Sequence, residues 1–211
     1  MRVKTPHGVP LSWLAGLMLL AGCSPLDAGR VQAPAGVQNN SGLTDKVVLV
    51  DLEDRPVSPF DVPGARAFVF LFVRTDCPVS NRYAPEIQRL FRSYAGRNVA
   101  FRLVYPDPGD SAGAVQAHQK EYHLTVPALR DPHHALVRRA GARVTPEAAV
   151  FVPGRGEVYR GRIDDRYVDF GKERPASTQH DLADALDRIL QGKPLTNSTT
   201  VAVGCYISER P

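Results

Sequence analysis

The chain has few cysteines, little surplus charge and one short apolar run, and each shortage excludes a class of protein. Three cysteines in 211 residues are too few for a disulfide-dense miniprotein. The 26 lysines and arginines exceed the 22 aspartates and glutamates by only four, which does not argue for a nucleic-acid partner. A composition of 43% hydrophobic and 23% charged residues excludes a fully disordered chain and a protein with several membrane spans. One ordinary globular domain with short additional segments is what remains.

The apolar run lies near the N-terminus, where Arg2 and Lys4 precede residues 11–20. Its length is typical of a signal-peptide core and too short to span a bilayer comfortably. The run ends in Leu-Ala-Gly before Cys23, which resembles the lipobox of bacterial lipoproteins. The resemblance implies that the chain is cut before Cys23 and that its thiol is acylated. It also implies an extracytoplasmic, lipid-anchored protein on the periplasmic side of a bacterial membrane, where disulfides persist. The alternative is an ordinary signal peptide or an uncleaved anchor with a chance cysteine.

The composition then divides the chain into four parts. Residues 1–22 are predicted to be the lipoprotein signal peptide. Residues 23–45 are small, polar and without periodicity, which predicts a flexible tether. A globular domain is predicted over residues 46–193, and a C-terminal tail that carries Cys205 over residues 194–211.

Hydrophobic patterns in the domain predict alternating strands and helices. Strands are predicted at residues 47–52, 67–73, 99–105, 126–129, 148–152 and 157–163. The second of these has no polar member, as expected for a central strand that is covered on both faces. Helices are predicted over four segments. The first contains the apolar stripe that begins at Tyr83 and ends at Gly96, and the second covers residues 111–122. The third runs from Asp131-Pro132 to Gly141, and the fourth from a capping box at Thr178 and Asp181 to Gly192. Early alternation and a late hairpin predict an α/β fold with a mixed central sheet and helices on both faces.

Cys77 stands where the apolar central strand ends and a helix begins. Unpaired N–H groups and the positive end of the helix dipole stabilise a thiolate there and lower its pKa. Pro78 suits the first helical turn. Arg74 and Arg82 would add positive potential, which Asp76 would oppose. The position therefore predicts an exposed, ionised and reactive thiol, with a buried structural cysteine as the alternative.

These features together resemble a thioredoxin-fold redoxin of the alkyl hydroperoxide reductase and thiol-specific antioxidant type. The resemblance covers roughly residues 45–192. It is carried by the following motif residues in order along the chain: Thr75, Cys77, Pro78, Pro85, Thr145 and Pro146. It implies a thioredoxin-like fold, in which Pro146 is cis and lies against Cys77. The resemblance also implies that Thr75, Pro78, Thr145 and Pro146 support the reactive cysteine.

The sequence departs from each redoxin subgroup at one position or more. Thioredoxins carry a second cysteine where this chain has Ser80, and Sco-type copper chaperones carry it where this chain has Asn81. Peroxiredoxins have a threonine three residues before the cysteine, whereas Thr75 is two before it. They also have an arginine near the position that Thr145-Pro146 occupies here.

Cys205 is the other free thiol if Cys23 is acylated. If the tail returns to the active-site helix, Cys77 would attack a disulfide and Cys205 would resolve the mixed disulfide. The sequence leaves open whether Cys205 instead forms a purely structural disulfide or remains a free thiol. We therefore expect a membrane-anchored, extracytoplasmic thiol-disulfide oxidoreductase that acts on protein thiols and disulfides, without a cofactor, a metal or nucleic acid. The alternatives are a Sco-like copper-binding protein that uses Cys77 as a ligand and a thiol peroxidase that forms a sulfenic acid on Cys77.

Other polar residues in the domain receive structural interpretations. His133 and His134 are predicted to lie on an exposed helix face. The charged residues 160–166 are predicted to form a solvated hairpin end. Tyr83 and Tyr105 are predicted to lie in the core.

Overall fold

A computed structural model describes residues 47–208, which form a mixed α/β fold. Strand β3 consists of apolar residues alone and is buried along its whole length, as its sequence predicted. The strands in this part of the chain are β1 (Leu49–Val50), β2 (Pro56–Val57), β3 (Ala67–Phe72), β4 (Val99–Tyr105), β5 (Ala128–Arg130), β6 (Val144–Thr145), β7 (Glu147–Val152), β8 (Gly156–Gly161), β9 (Tyr167–Asp169), β10 (Lys172–Glu173) and β11 (Cys205–Tyr206). The α-helices are α1 (Pro78–Tyr94), α2 (Ala112–Glu121), α3 (Ala135–Ala140) and α4 (Asp181–Leu190).

The central sheet has seven strands in the order β2-β1-β5-β4-β3-β7-β8. Strand β3 pairs in parallel with β4 and antiparallel with β7, so the sheet is mixed. Alternate residues of β3 point to opposite faces. One face packs against α1 and α4, and the other packs against α3. The predicted fold class, with helices on both faces of a mixed sheet, is therefore confirmed.

Two predicted helix starts are wrong in detail. The carboxylate of Asp131 accepts backbone N–H groups of residues 135–137 at 2.7–2.9 Å, so it does cap α3, but that helix begins only at Ala135. Thr178 forms no capping box with Asp181. Its hydroxyl instead donates to the Asp165 carboxylate over 2.5 Å.

Two predicted polar surfaces are also corrected. His133 is exposed, but His134 is buried and its Nε2 lies 3.0 Å from the carbonyl oxygen of Pro106. Residues 160–166 are not a solvated hairpin end. Arg160 donates to the Gly141 carbonyl over 2.8 Å, and Arg162 pairs with Asp181 over 2.7 Å. The predicted core positions of Tyr83 and Tyr105 are confirmed, since both side chains are buried.

The C-terminal tail returns across the domain as far as the structure describes it. The Thr200 N–H donates to the Arg160 carbonyl over 3.0 Å, and the Ile207 N–H donates to the Arg143 carbonyl over 2.9 Å. Between these contacts, β11 pairs antiparallel with β6. The tail thus adds a short strand beside the loop that precedes β7.

The predicted signal peptide, tether and lipidated Cys23 lie outside the described residues. In residues 47–208, no helix has the length and apolar character needed to cross a membrane.

Candidate active site

Cys77 is the N-cap residue of α1, directly beyond the end of β3. Its Sγ accepts the Ser80 N–H over 3.5 Å, and Pro78 occupies the first helical position. The fully buried β3 fixes the backbone before the cysteine, and α1 fixes the backbone after it. The prediction that Cys77 lies at a helix N-terminus is confirmed.

The predicted exposure of Cys77 is wrong, because the residue retains only 1% of its accessible surface. The tail contributes to this burial, since β11 pairs with β6 and brings the Cys205 Sγ against the Cys77 Sγ. Cys77 also belongs to the core cluster on the α1 side of the sheet. The sequence carried no sign of which surface the tail would occupy.

The structure brings together Cys77, Cys205 and the Thr145-Pro146 turn. The two Sγ atoms lie 2.7 Å apart, and both cysteines are free thiols. The Cys77 Sγ also lies 3.0 Å from the Thr145 carbonyl oxygen. The Thr145-Pro146 peptide bond is cis, which confirms that part of the prediction. Of the predicted support residues, Pro78 flanks the thiol and Thr145 contacts it.

The surroundings shift the two thiol pKa values in opposite directions. Burial raises the pKa of Cys77, but hydrogen bonds from Cys205, Ser80 and Thr145 outweigh it, so its pKa lies below the usual value. Burial and the neighbouring Cys77 sulfur raise the pKa of Cys205 to about 12. Cys77 is therefore the thiol that ionises first, and Cys205 keeps its proton to higher pH.

The predicted arginines are both held in ion pairs. Arg74 pairs with Asp76 and with Asp107, each over 3.0 Å, while Arg82 pairs with Glu173 over 2.9 Å. Their charges are therefore largely offset. The lowered pKa of Cys77 comes from local hydrogen bonds.

Thr75 reaches a buried carboxyl group that the sequence analysis missed. Its hydroxyl donates to Oδ1 of Asp110 over 2.5 Å. Burial raises the pKa of Asp110, and its Oδ2 has no hydrogen-bond partner among the described residues. Asp110 lies in a loop without periodicity, so no sequence pattern indicated its approach to Thr75.

A second missed network holds the backbone before Cys77. The Asn81 amide donates to the Thr75 carbonyl over 3.1 Å and accepts from Nε2 of His118 over 2.8 Å. Nδ1 of His118 in turn lies 2.9 Å from the Tyr105 hydroxyl. Burial lowers the pKa of His118, which keeps the imidazole neutral. The side chain that stands in place of a Sco-type second cysteine is thus engaged in positioning the loop.

One three-residue group has the donor set of a metal site. Ligand atoms of Glu86, Asp164 and His180 lie within 4.8 Å of one another. Both carboxylates already have partners, because Asp164 accepts the Tyr83 hydroxyl over 2.5 Å and Glu86 pairs with Arg89 over 2.6 Å. The group is therefore satisfied as a structural network.

Similarity to solved structures supports the fold assignment. The thioredoxin domain of a thiol-disulfide oxidoreductase from Bacteroides vulgatus is similar with a TM-score of 0.51 and 12% identity, over 68% of this chain and 92% of that chain. An uncharacterized conserved protein from Geobacillus kaustophilus gives a TM-score of 0.69 and 25% identity, over 80% and 90% of the two chains. A hypothetical protein from Sinorhizobium meliloti 1021 gives a TM-score of 0.67 and 25% identity, over 78% of this chain and 91% of that chain. These similarities show that the protein has a thioredoxin-like fold.

The family follows from the sequence profile. Residues 43–161 match the AhpC/TSA family, and the chain belongs to that family. A comparison with curated protein sequences finds no match. The matched region contains Cys77 and the cis proline turn but ends before the tail that carries Cys205.

Proposed function

We propose that the protein is a membrane-anchored, extracytoplasmic thiol-disulfide oxidoreductase in which Cys77 is the nucleophile and Cys205 the resolving thiol. The observation that carries this proposal is the 2.7 Å separation of the two Sγ atoms. A disulfide has an S–S bond of about 2.05 Å, so the sulfurs need only a small movement to bond. The cis proline turn beside them fits the redoxin assignment.

The reaction begins with the Cys77 thiolate attacking one sulfur of a partner disulfide. A Cys77–partner bond forms, the partner's S–S bond breaks, and its other sulfur leaves as a thiolate and takes up a proton. Cys205 then loses its proton and attacks the Cys77 Sγ. A Cys77–Cys205 disulfide forms and the first partner sulfur leaves. Two electrons pass from the thiol pair to the partner.

The cover over Cys77 is part of this cycle. A partner disulfide reaches the Cys77 Sγ only when β11 moves aside, because Cys205 lies directly over it. Strand β11 is two residues long and pairs with β6 alone among the described strands. So short a pairing separates at low free-energy cost compared with the seven-stranded sheet.

Exchange with a disulfide-bonded peptide, measured with the reduced protein, tests these roles. We expect Cys77→Ser to abolish exchange, because the nucleophile is lost. We expect Cys205→Ser to retain the first step and to accumulate a mixed disulfide on Cys77, which mass spectrometry detects after digestion. Exchange by Cys77→Ser at the wild-type rate would remove Cys77 from the mechanism.

Membership in the AhpC/TSA family favours a thiol peroxidase as the second candidate. The Cys77 thiolate would attack a hydroperoxide oxygen, the O–O bond would break and the other oxygen would leave as an alcohol or water. The sulfenic acid formed on Cys77 would then be attacked by Cys205, which gives the disulfide with loss of water. Peroxide consumption in the presence of a dithiol reductant separates the two. Peroxide consumption by the wild type that is lost in Cys77→Ser identifies a peroxidase activity. The absence of peroxide consumption by the wild type excludes that activity.

The lipid anchor is proposed from the sequence around Cys23. Expression of the full chain with labelled fatty acid should label the wild type and leave Cys23→Ser unlabelled and released from the membrane fraction. Equal membrane association of the two without label would refute lipidation at Cys23.

A further inference from the structure

A basic cleft lies beside the strand that carries Cys205. Its volume is about 780 Å³. One wall is the tail segment Tyr206 to Ser208, and the other is formed by α3 and the turn that follows it. Its basic lining residues are His133, His134, Arg138, Arg143 and Arg160.

No acidic residue lines the cleft in the part of the chain that the structure describes. Arg160 is partly neutralised, because its Nε lies 4.0 Å from a carboxylate oxygen of Glu147, which is buried. Arg138 donates to the carbonyl of His133 and keeps its full charge. Arg143 is exposed, and within residues 47–208 no salt bridge ends on its guanidinium. The cleft therefore presents uncompensated positive charge, which attracts an anionic occupant.

The cleft reaches the residue next to the more accessible of the two cysteines. Tyr206, which follows Cys205, lines the cleft and is 80% exposed. Cys205 is partly accessible, whereas Cys77 is buried. A partner held in the cleft therefore lies one residue along the chain from Cys205. Of the described strands, only β6 pairs with β11, so its outer edge is open to an extended peptide.

We propose that this cleft docks an acidic segment of a thiol-bearing partner protein, which brings a partner thiolate to the Cys205 Sγ. The inference rests on the proposed function, because it needs the Cys77–Cys205 disulfide. The partner thiolate attacks Cys205, the Cys77–Cys205 bond breaks, and Cys77 leaves as the thiolate. A second partner thiolate then attacks the first partner sulfur, and Cys205 leaves and takes up a proton. The partner dithiol loses two electrons to the protein disulfide, and its remaining proton goes to solvent.

The test uses the oxidised full chain and three peptides that differ only in the residues that flank one cysteine: acidic, serine and lysine. We expect the acidic peptide to reduce the disulfide about tenfold faster than the serine peptide at low salt, with a smaller ratio at high salt. The Arg138→Ser/Arg143→Ser double variant should bring this ratio close to one. Arg92→Ser removes an exposed arginine from α1, on the opposite face of the sheet, and should keep the wild-type ratio.

Digestion of the trapped mixed disulfide adds the position of attack. Attachment of the acidic peptide to Cys205 agrees with the proposal, and attachment to Cys77 overturns it. Equal rates for all three peptides overturn the docking surface while leaving the proposed function standing. If no peptide reduces the disulfide, the proposed function fails and the inference falls with it.

A direct binding experiment tests which ligand occupies the cleft. A labelled acidic peptide with serine in place of cysteine should bind wild type and lose affinity in the double variant. Displacement of this peptide by phosphatidylglycerol vesicles would assign the cleft to lipid headgroups instead. If the protein prefers the acidic peptide only after residues 209–211 are deleted, the cleft is assigned to the chain's own C-terminus. Either result overturns the partner assignment.

Discussion

Cys77 and Cys205 differ in the properties that decide which sulfur is the thiolate. Cys77 is the N-cap of α1, where the Ser80 N–H and the neighbouring thiol donate to its sulfur. Cys205 has only a two-residue strand around it, and the adjacent Cys77 sulfur favours its protonated form. This division makes Cys77 the thiol that ionises first and Cys205 the one that keeps its proton to higher pH.

The first prediction concerns the order in which the two thiols titrate. In Cys23→Ser with 13Cβ-labelled cysteine, we expect one Cβ resonance to titrate below the usual cysteine pKa of about 8.5 and the other near 12. Cys77→Ser should remove the lower transition, and the remaining Cys205 transition should move down because the neighbouring sulfur is gone. In Cys205→Ser the remaining Cys77 transition should move up, because the hydrogen bond from Cys205 is lost. A Cys205 transition that stays near 12 in Cys77→Ser would contradict this coupling of the two thiols.

The same shift makes the reduced protein less stable at alkaline pH. The folded pKa of Cys205 is raised to about 12, so its contribution is fully present below about 8.5 and is lost as pH rises towards 12. Cys205→Ser should flatten the fall in the free energy of unfolding over that window, measured by denaturant titration under reducing conditions. An unchanged slope in the variant would contradict the raised pKa.

At the residue scale, the sequence predicted the positions that a local pattern defines. Cys77 was placed correctly because a strand end and a helix start flank it. Asp110 and His118 were missed as site residues because their partners, Thr75 and Asn81, are distant in sequence. The burial of Cys77 was missed for the same reason, since its cover comes from residues far along the chain.

At the scale of elements, the pairing of β11 with β6 places the second sulfur. Gly204 stands directly before β11, and a Cβ built there would lie 2.1 Å from the Thr145 carbonyl oxygen. A backbone atom of the cis proline turn cannot give way as a flexible side chain would. The close approach therefore needs glycine at this position.

Gly204→Ala should separate the tail from the turn and leave the domain folded. Overpacking of this kind costs about 1–3 kcal/mol, so we expect intramolecular disulfide formation to slow by about tenfold or more. Cys77 should also become more reactive towards iodoacetamide. Gly113→Ala is the matched control, because a Cβ there meets nothing within 4 Å. Wild-type disulfide kinetics in Gly204→Ala, measured by alkylation and mass spectrometry, would show that β11 does not position Cys205.

The elements that the sequence predicted are those with enough residues to show a period. Strand β4 was predicted with its observed bounds, and β3 and α1 were close. Strands β6 and β11 have two residues each and no periodicity of their own. They exist because the tail packs against the cis proline turn, which is a tertiary contact. The site depends on these two short strands, so its geometry was less predictable than the sheet.

At the scale of the whole molecule, the redox pair joins a family domain to a segment outside the family match. The match ends at residue 161, whereas the second sulfur belongs to Cys205 in the returning tail. In the proposed mechanism the tail therefore has two roles. It covers Cys77 in the reduced state and supplies the thiol that closes the disulfide.

The most direct test is the redox state of these two sulfurs in the full chain after mild oxidation. Alkylation followed by mass spectrometry should show that Cys77 and Cys205 become protected together, in a monomer, and return together on reduction. Digestion without reductant should yield one crosslinked peptide that contains both residues. Free thiols at both positions after oxidation, or disulfides only between two chains, would contradict the proposed redox pair.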